Sequence, residues 1–285
     1  MTQLDPLPQQ KPPITSSLAR KEKPGAKDTP QKKRVALITG GSRGIGAETA
    51  LALAERGYDV ALTYRSKAAR ANQVISALTR RGGHGIALPA DMTCSEDVAR
   101  LFCHLKQWTD HFDALILNAS GGLERNLIAV DPHYPMRINH DAQLLFVEAA
   151  LPLLSRGSTI VFVTSHWSHL YGQVKQFLPA YEAVAQSKYA GEQALRARQD
   201  ELARRGIRLI VVTGDLIEGT ITPILLERID PGLIERRRAK SGSLPTAAEM
   251  GQEIALAIMN TTLSSGTTVV VGEALPSLLA RSRLC

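Results

Sequence analysis

Between a short apolar run, Val35–Thr39, and a stretch of helical periodicity, Ile45–Arg56, the chain reads Thr39-Gly40-Gly41-Ser42-Arg43-Gly44-Ile45-Gly46. Glycine lets a chain turn sharply out of a strand and lets other atoms approach its backbone closely. Where a helix begins, free backbone N–H groups and the positive end of the helix dipole favour an anion. A glycine-rich stretch by itself is an ordinary turn. Set after a strand and before a helix, it points to a site for the pyrophosphate of a dinucleotide.

The same alternation continues along the chain. Apolar, β-branched runs at Asp59–Tyr64, Gly85–Leu88, Ala114–Asn118, Thr159–Thr164, Ile207–Thr213 and Thr267–Val271 alternate with helical patterns over Lys67–Arg81, Ser95–Trp108, Asn139–Leu154, Pro179–Arg205 and Ala247–Asn260. Short strands that are apolar throughout are buried on both faces, as in a parallel sheet covered by helices. Short connections then give right-handed crossovers, and the expected fold is α/β: a doubly wound parallel sheet with helices on both faces. Thr246-Ala-Ala-Glu249 has the spacing of a capping box that starts a helix. No repeat or second boundary interrupts residues 34–285, which read as one domain.

Residues 1–33 differ in kind. Up to Arg34 the chain holds eight basic side chains against Asp5, Glu22 and Asp28, which is five of its seven net positive charges, along with six prolines and few apolar residues. This is the composition of a flexible basic tail, and without interleaved aromatic residues it does not suggest a nucleic-acid-binding arm. It lacks the apolar stretch of about 7–15 residues that marks a secretory signal. No run approaches the roughly 18 apolar residues of a membrane span. Cys94, Cys103 and Cys285, without CxxC spacing, argue against a disulfide framework or a cysteine metal site and suit a reducing compartment. The chain is therefore expected to be cytoplasmic, with no membrane, nucleic-acid or metal partner, and Cys94 and Cys103 to be small packing residues.

An NAD site usually carries an acidic residue about 20 positions after the glycine turn, at the end of the second strand, to bind the ribose 2′-hydroxyl. Here that region reads Thr63-Tyr64-Arg65-Ser66-Lys67, with no carboxylate. Arg65 and Arg43 can flank a 2′-phosphate with guanidinium forks, and Ser66 can add a hydrogen bond. NADP(H) is expected over NAD(H), with solvated surface arginines as the alternative reading.

The spacing TGxxxGxG resembles that of the short-chain dehydrogenase/reductase family, whose domain is a Rossmann fold, and further matches follow in order across residues 34–285. Asp91 resembles the family's adenine-contacting aspartate, with Met92 beside it, and Asn118-Ala119-Ser120 a variant of its Asn-Asn-Ala-Gly motif. Asn139 matches a helix asparagine that holds a proton-relay water, Ser187-Lys188 an active-site helix, and Thr213-Gly214 the usual Pro-Gly. Thr220 matches a threonine at the nicotinamide end. The resemblance implies a cofactor bound by Gly40, Ser42, Arg43, Gly44, Ile45, Gly46, Tyr64, Arg65, Ser66, Asp91, Met92, Asn118, Ala119, Ser120, Lys188, Gly214, Ile217 and Thr220.

The family places its catalytic tyrosine four residues before the lysine. Counted back from Lys188 that position is Val184, and the nearest upstream tyrosine is Tyr181, giving Tyr-x6-Lys. On a helix four residues turn about 40° past one circle and seven about 20° short of two, so both spacings share a face. Tyr181 then sits about one turn further from the lysine, near a helix start that Pro179 suits. Tyr-x6-Lys is similar to the enoyl-thioester reductase branch of the family. Tyr171, ten residues before Tyr181, and the loss of Pro-Gly at 213–214 extend that likeness. Thr164-Ser165, in contrast, resembles the carbonyl-reducing members.

By that resemblance Tyr181 donates to the oxygen on which charge develops. Lys188 holds the nicotinamide ribose and favours tyrosinate-like character in Tyr181. Tyr171 closes over the substrate or packs in a loop, and Ser165 orients a carbonyl or bonds locally. His166 and His169, with no carboxylate partner in sight, read as pocket lining. The expected activity is NADPH-dependent reduction of a conjugated C=C in a small, thioester-linked substrate. Carbonyl reduction, or a non-catalytic NADP-binding sensor or scaffold, remain open. Residues 220–245 correspond to a substrate lid, and the resemblance implies a homo-tetramer or homo-dimer.

Overall fold

A computed structural model describes residues 32–174 and 178–272 together with Leu275 and Leu279; the expected tail therefore lies, but for Lys32 and Lys33, outside the described residues, as does Cys285. The chain opens with β1 (Arg34–Ile38), α1 (Gly44–Ala54), β2 (Tyr58–Tyr64), α2 (Ala68–Arg80), β3 (Gly85–Pro89), α3 (Ser95–Trp108) and β4 (Phe112–Leu117). Two short helices follow, α4 (Arg125–Val130) and α5 (Tyr134–Met136), then a π-helical turn at Arg137–Asp141 that runs into α6 (Ala142–Ala150). Next come β5 (Leu154–Ser165), the one-turn helix α7 (His166–His169), a 3-10 turn at Pro179–Tyr181, α8 (Glu182–Ala197), α9 (Gln199–Arg204) and β6 (Arg208–Gly214). The chain closes with α10 (Ile221–Ile229), α11 (Leu233–Ser241), α12 (Ala247–Met259) and β7 (Thr268–Val271).

The strands form one seven-stranded sheet in the order β3-β2-β1-β4-β5-β6-β7, parallel at every pairing. Each face carries its own core because successive side chains of a strand point to opposite faces. Leu37, Leu115 and Phe162 pack with α3, α6 and α9 on one face, where Phe102 meets Phe146 edge-on at 5.1 Å. Ile38, Leu62 and Ile116 pack with α1, α2 and α12 on the other. The α1 helix is alanine-rich, and a Cβ on Gly251 of α12 would come within 2.7 Å of the Glu48 carbonyl carbon, so small residues let these two helices pack closely. The strand order reverses between β1 and β4, which in an open parallel sheet leaves a crevice outside the carboxyl ends of those strands.

The expected strands and long helices are present, and the capping box at Thr246 and Glu249 is formed in both directions. Three details differ. The helix expected over 179–205 is a 3-10 turn, α8 and α9, with Tyr181 ahead of α8 instead of within it. The helix expected from Asn139 begins as the π-helical turn. Cys103 is exposed and Cys94 half-buried with its thiol 3.2 Å from Glu96 Oε2, so neither is a packing residue of the core. No helix among the described residues is long and apolar enough to cross a membrane.

Candidate active site

The crevice at the carboxyl ends of the strands holds a cavity of about 400 Å³, bounded by the glycine turn, the ends of β2 and β4–β6, and α10. Its floor is the turn between β1 and α1. Gly40 and Gly44 have φ of +66° and +54°, values that favour glycine. A Cβ at Gly46 would lie 2.6 Å from Asn118 Nδ2 and 2.7 Å from the Gly40 carbonyl. That contact is structural: Asn118 Nδ2 donates to the carbonyls of Thr39 (3.0 Å) and Gly40 (3.2 Å). Thr39 Oγ1 in turn accepts from the backbone N–H of Asn118 and of Ala119, both at 2.9 Å. The tips of β1 and β4 are thus tied together. Arg43 precedes α1 in an extended conformation and no side chain caps the helix, so its first N–H groups are open to a ligand. An open cradle with glycine at the points of closest approach, at the start of an eleven-residue helix, fits a dinucleotide pyrophosphate.

At one end of the cavity the lining is cationic. Arg43, Arg65, Lys67 and Arg70 are all in its wall with Tyr64, Ser66, Asp91 and Met92. Lys67, between β2 and α2, and Arg70, in the first turn of α2, extend the expected pair of arginines. Asp91 Oδ1 accepts from the Thr93 N–H and hydroxyl, which fixes the carboxylate at the end of β3.

At the other end the polar groups belong to β5, α7 and α8. Tyr181 Oη donates to Ser165 Oγ at 3.1 Å, and the Ser168 N–H donates to the same oxygen at 3.1 Å. With both lone pairs engaged, the Ser165 proton goes to Ser168 Oγ, 2.8 Å away. Ser165 therefore acts here as the acceptor that aims the tyrosine hydroxyl. Trp167 packs edge-on against the Tyr181 ring at 5.5 Å. Burial pushes the Tyr181 phenol up, against a smaller lowering by Ser165 and Ser168. The expected tyrosinate-like character is not what this setting gives: an apolar surround favours the neutral, proton-donating phenol.

Lys188, 7% exposed, donates through Nζ to the Val163 carbonyl at 3.0 Å. Burial lowers it from 10.5 to about 8, and the Glu192 charge opposes that. Glu192, one helical turn on and 1% exposed, accepts from Arg196 Nε and faces His169 Nδ1, both at 2.8 Å. His169 thus has the carboxylate partner that its sequence neighbours did not supply. His166 is buried with Nδ1 3.1 Å from Thr213 Oγ1, and burial lowers it from 6.5 to about 4, so it is neutral near pH 7.

Val184 occupies the position four residues before the lysine. It lines the cavity and packs against the loop after β4, where a Cβ on Gly122 would sit 3.0 Å from Val184 Cγ2. Leu123, Leu216, Ile221 and Leu225 complete an apolar wall. The segment corresponding to a lid forms α10 and α11, and Arg237 of α11 grips Asp215, just past the end of β6, with Nε 3.0 Å from Oδ1 and NH2 2.8 Å from Oδ2. Arg238 makes a second pair with Glu218. Thr220 stands at the start of the lid with its Oγ1 donating back to the Ile217 carbonyl at 2.7 Å, and its methyl group faces Gly44.

The structure gathers nearly all the expected residues around this one cavity: Gly40, Ser42, Ile45, Ser120, Gly214, Ile217, Lys188, Ser165 and Tyr181 all line it with those already named. Three stand apart from the lining. Gly46 packs on Asn118. Tyr171 lies past the α7 turn with its ring 5.9 Å from that of Tyr189 on α8, and packs behind the cavity wall against the cluster that holds Tyr181 and Val184. Asn139 is buried, donates through Nδ2 to the Gly121 carbonyl and to Ser187 Oγ, and accepts from the Gly121 N–H. It braces the loop after β4 against α8.

Residues 34–225 match the family described as short chain dehydrogenase. The 1-cyclohexenylcarbonyl-CoA reductase of Streptomyces collinus is 30% identical over 259 residues, 88% of this chain and 88% of that protein. The hydroxynaphthalene reductase-like protein Arp2 of Metarhizium anisopliae is 31% identical over 162 residues, 56% of this chain and 59% of that protein. Among solved structures, a short chain dehydrogenase from Burkholderia cenocepacia in complex with NADP superposes with a TM-score of 0.72 at 26% identity, covering 86% of this chain and 98% of that one.

Proposed function

The chain belongs to the short-chain dehydrogenase family of oxidoreductases, and from that premise we propose that it is an NADPH-dependent reductase of a carbon–carbon double bond conjugated to a thioester. The observation that carries this reading is the exchange of roles on α8. An apolar Val184 fills the place four residues before Lys188, and among the described residues the tyrosine that joins the β5, α7 and α8 groups in the cavity wall is Tyr181, on the 3-10 turn ahead of the helix. The likeness to the Streptomyces collinus 1-cyclohexenylcarbonyl-CoA reductase supports the same class.

A reduced nicotinamide bound in the cradle supplies hydride. The glycine turn and the start of α1 bind the pyrophosphate, and Arg43, Arg65, Lys67 and Arg70 receive a 2′-phosphate. Lys188 holds ribose hydroxyls with its ammonium. Tyr181 turns its hydroxyl from Ser165 to the acyl oxygen, on which negative charge grows as the β-carbon is reduced, and a neutral phenol aimed there stabilises that charge. The apolar wall of Leu123, Trp167, Val184, Leu216 and Leu225 keeps water from the developing enolate. One observation favours the second reading, carbonyl reduction: the Ser165 and Tyr181 hydroxyls lie 3.1 Å apart, and with the Ser165 proton turned from Ser168 both would donate to a ketone oxygen.

NADPH oxidation followed by absorbance, with crotonyl-CoA and acetoacetyl-CoA in parallel, separates the readings. The expected outcome is faster turnover of the enoyl thioester, and a loss of about 10²-fold or more in Tyr181→Phe with NADPH affinity retained. Preference for acetoacetyl-CoA establishes the second reading. Tight NADPH binding without oxidation by either leaves a sensor or scaffold. Unchanged turnover in Tyr181→Phe removes that residue from the mechanism.

A further inference from the structure

Arg65, just past the end of β2, and Tyr134, at the start of α5, are 69 residues apart and come from different walls of the cavity. Arg65 donates through one terminal nitrogen, NH1, to Tyr134 Oη at 2.9 Å. Tyr134 is 6% exposed, and its hydroxyl abuts the loop after β4, where a Cβ on Gly121 would lie 2.9 Å from Oη. Glu124 braces that loop by accepting the N–H groups of Gly122 and Leu123. The tyrosine oxygen is therefore a fixed point, and the long arginine side chain is pinned to it. Burial pushes the Tyr134 phenol up, so it stays neutral and keeps its acceptor lone pairs.

A guanidinium presents five N–H donors in one rigid plane, and two of its edges can grip a phosphate with parallel hydrogen bonds. Engaging NH1 with Tyr134 leaves the Nε–NH2 edge, to which the structure assigns no hydrogen bond among the described residues. A pinned guanidinium loses less freedom when an anion arrives than a free one does, and its open edge has one direction to face.

We propose that Tyr134 is a positioning residue for cofactor choice: by holding NH1 of Arg65 it aims the remaining guanidinium edge at the ribose 2′-phosphate that distinguishes NADP from NAD. This rests on the reading of Arg65 given above. The tyrosine touches no phosphate itself and acts through the arginine.

The test is the dissociation constant of NADPH and of NADH for the full-length protein, by titration calorimetry, in the unaltered chain and in Arg65→Ala, Tyr134→Phe, Tyr134→Leu and Tyr134→Gln. Arg65→Ala is expected to weaken NADPH by about tenfold or more and NADH by less than about twofold, as for loss of a charge-assisted hydrogen bond. Tyr134→Phe, which removes one oxygen, is expected to weaken NADPH by about threefold to tenfold, again sparing NADH. Tyr134→Gln, which restores an acceptor, is expected to keep more of the NADPH preference than Tyr134→Leu, and this pair decides the matter if the phenylalanine variant does not fold. An unshifted ratio in Arg65→Ala overturns both the reading of Arg65 and the role of Tyr134. A shifted ratio in Arg65→Ala with unchanged or tighter NADPH binding in Tyr134→Phe overturns the role of Tyr134 alone. Equal weakening of both nucleotides in Tyr134→Phe does the same, since it marks a residue that only shapes the cavity.

Discussion

Lys188 is a cation held where the fold would be better served by an apolar side chain. Its native pKa is lowered from 10.5 to about 8, chiefly by burial, so between those values the unfolded chain binds a proton that the native chain does not. Stability therefore rises with pH through this window, and the burial cost is fully present below about 8. Lys188→Met is expected to abolish turnover and to raise the melting temperature by a few degrees at pH 7. The gain should shrink as pH climbs from about 8 to 10.5; scanning calorimetry across that range checks it, and a gain independent of pH would contradict the assignment. The sequence displayed Lys188, Tyr181 and their spacing, because helix geometry is local. It could not display that Ser165 spends both lone pairs on Tyr181 and Ser168, nor that His169 finds Glu192, 23 residues away. Those partners meet only after β5 and α8 have packed together.

Elements follow the same division. The box at Thr246 and Glu249 was legible because every atom of it lies within one helical turn: Thr246 Oγ1 accepts from the Glu249 N–H, and Glu249 Oε2 accepts from the Thr246 N–H. Thr246→Ala is expected to cost about 1 kcal/mol, lowering the melting temperature by about 2–4 °C in a chain of this size, with NADPH affinity unchanged; a thermal melt and a binding titration check the two parts. The π-helical turn at Arg137–Asp141 and the 3-10 turn at Pro179–Tyr181 left no periodic signal. Each is a single turn, and tertiary contacts set it: Asn139 is drawn to Gly121 and Ser187, while Tyr181 is drawn to Ser165. Tyr171 showed the right interval from Tyr181 but follows a one-turn helix that carries its ring to Tyr189.

At the scale of the molecule, the strand–helix alternation specified the sheet, since apolar strands joined by helices have few other ways to bury both faces. Among the described residues, the cavity wall lies between Gly40 and Leu225. Residues 1–31 are basic, rich in proline and poor in apolar side chains, and on that composition we propose that they are dispensable for cofactor binding. A chain beginning at Lys32 is expected to bind NADPH within about twofold of the full chain and to melt within about 2 °C of it; a larger loss in either would give the tail a part in the fold or the site.

Arg237 and Arg238 are adjacent in α11 yet meet media of different polarity. The carboxylate of Asp215 is 2% exposed and that of Glu218 35%. Dissolved ions screen the outer pair and scarcely reach the inner one. Helix α11 thus carries one ion pair that ionic strength can loosen and one that it cannot. In brine the outer pair is expected to part while the inner one holds.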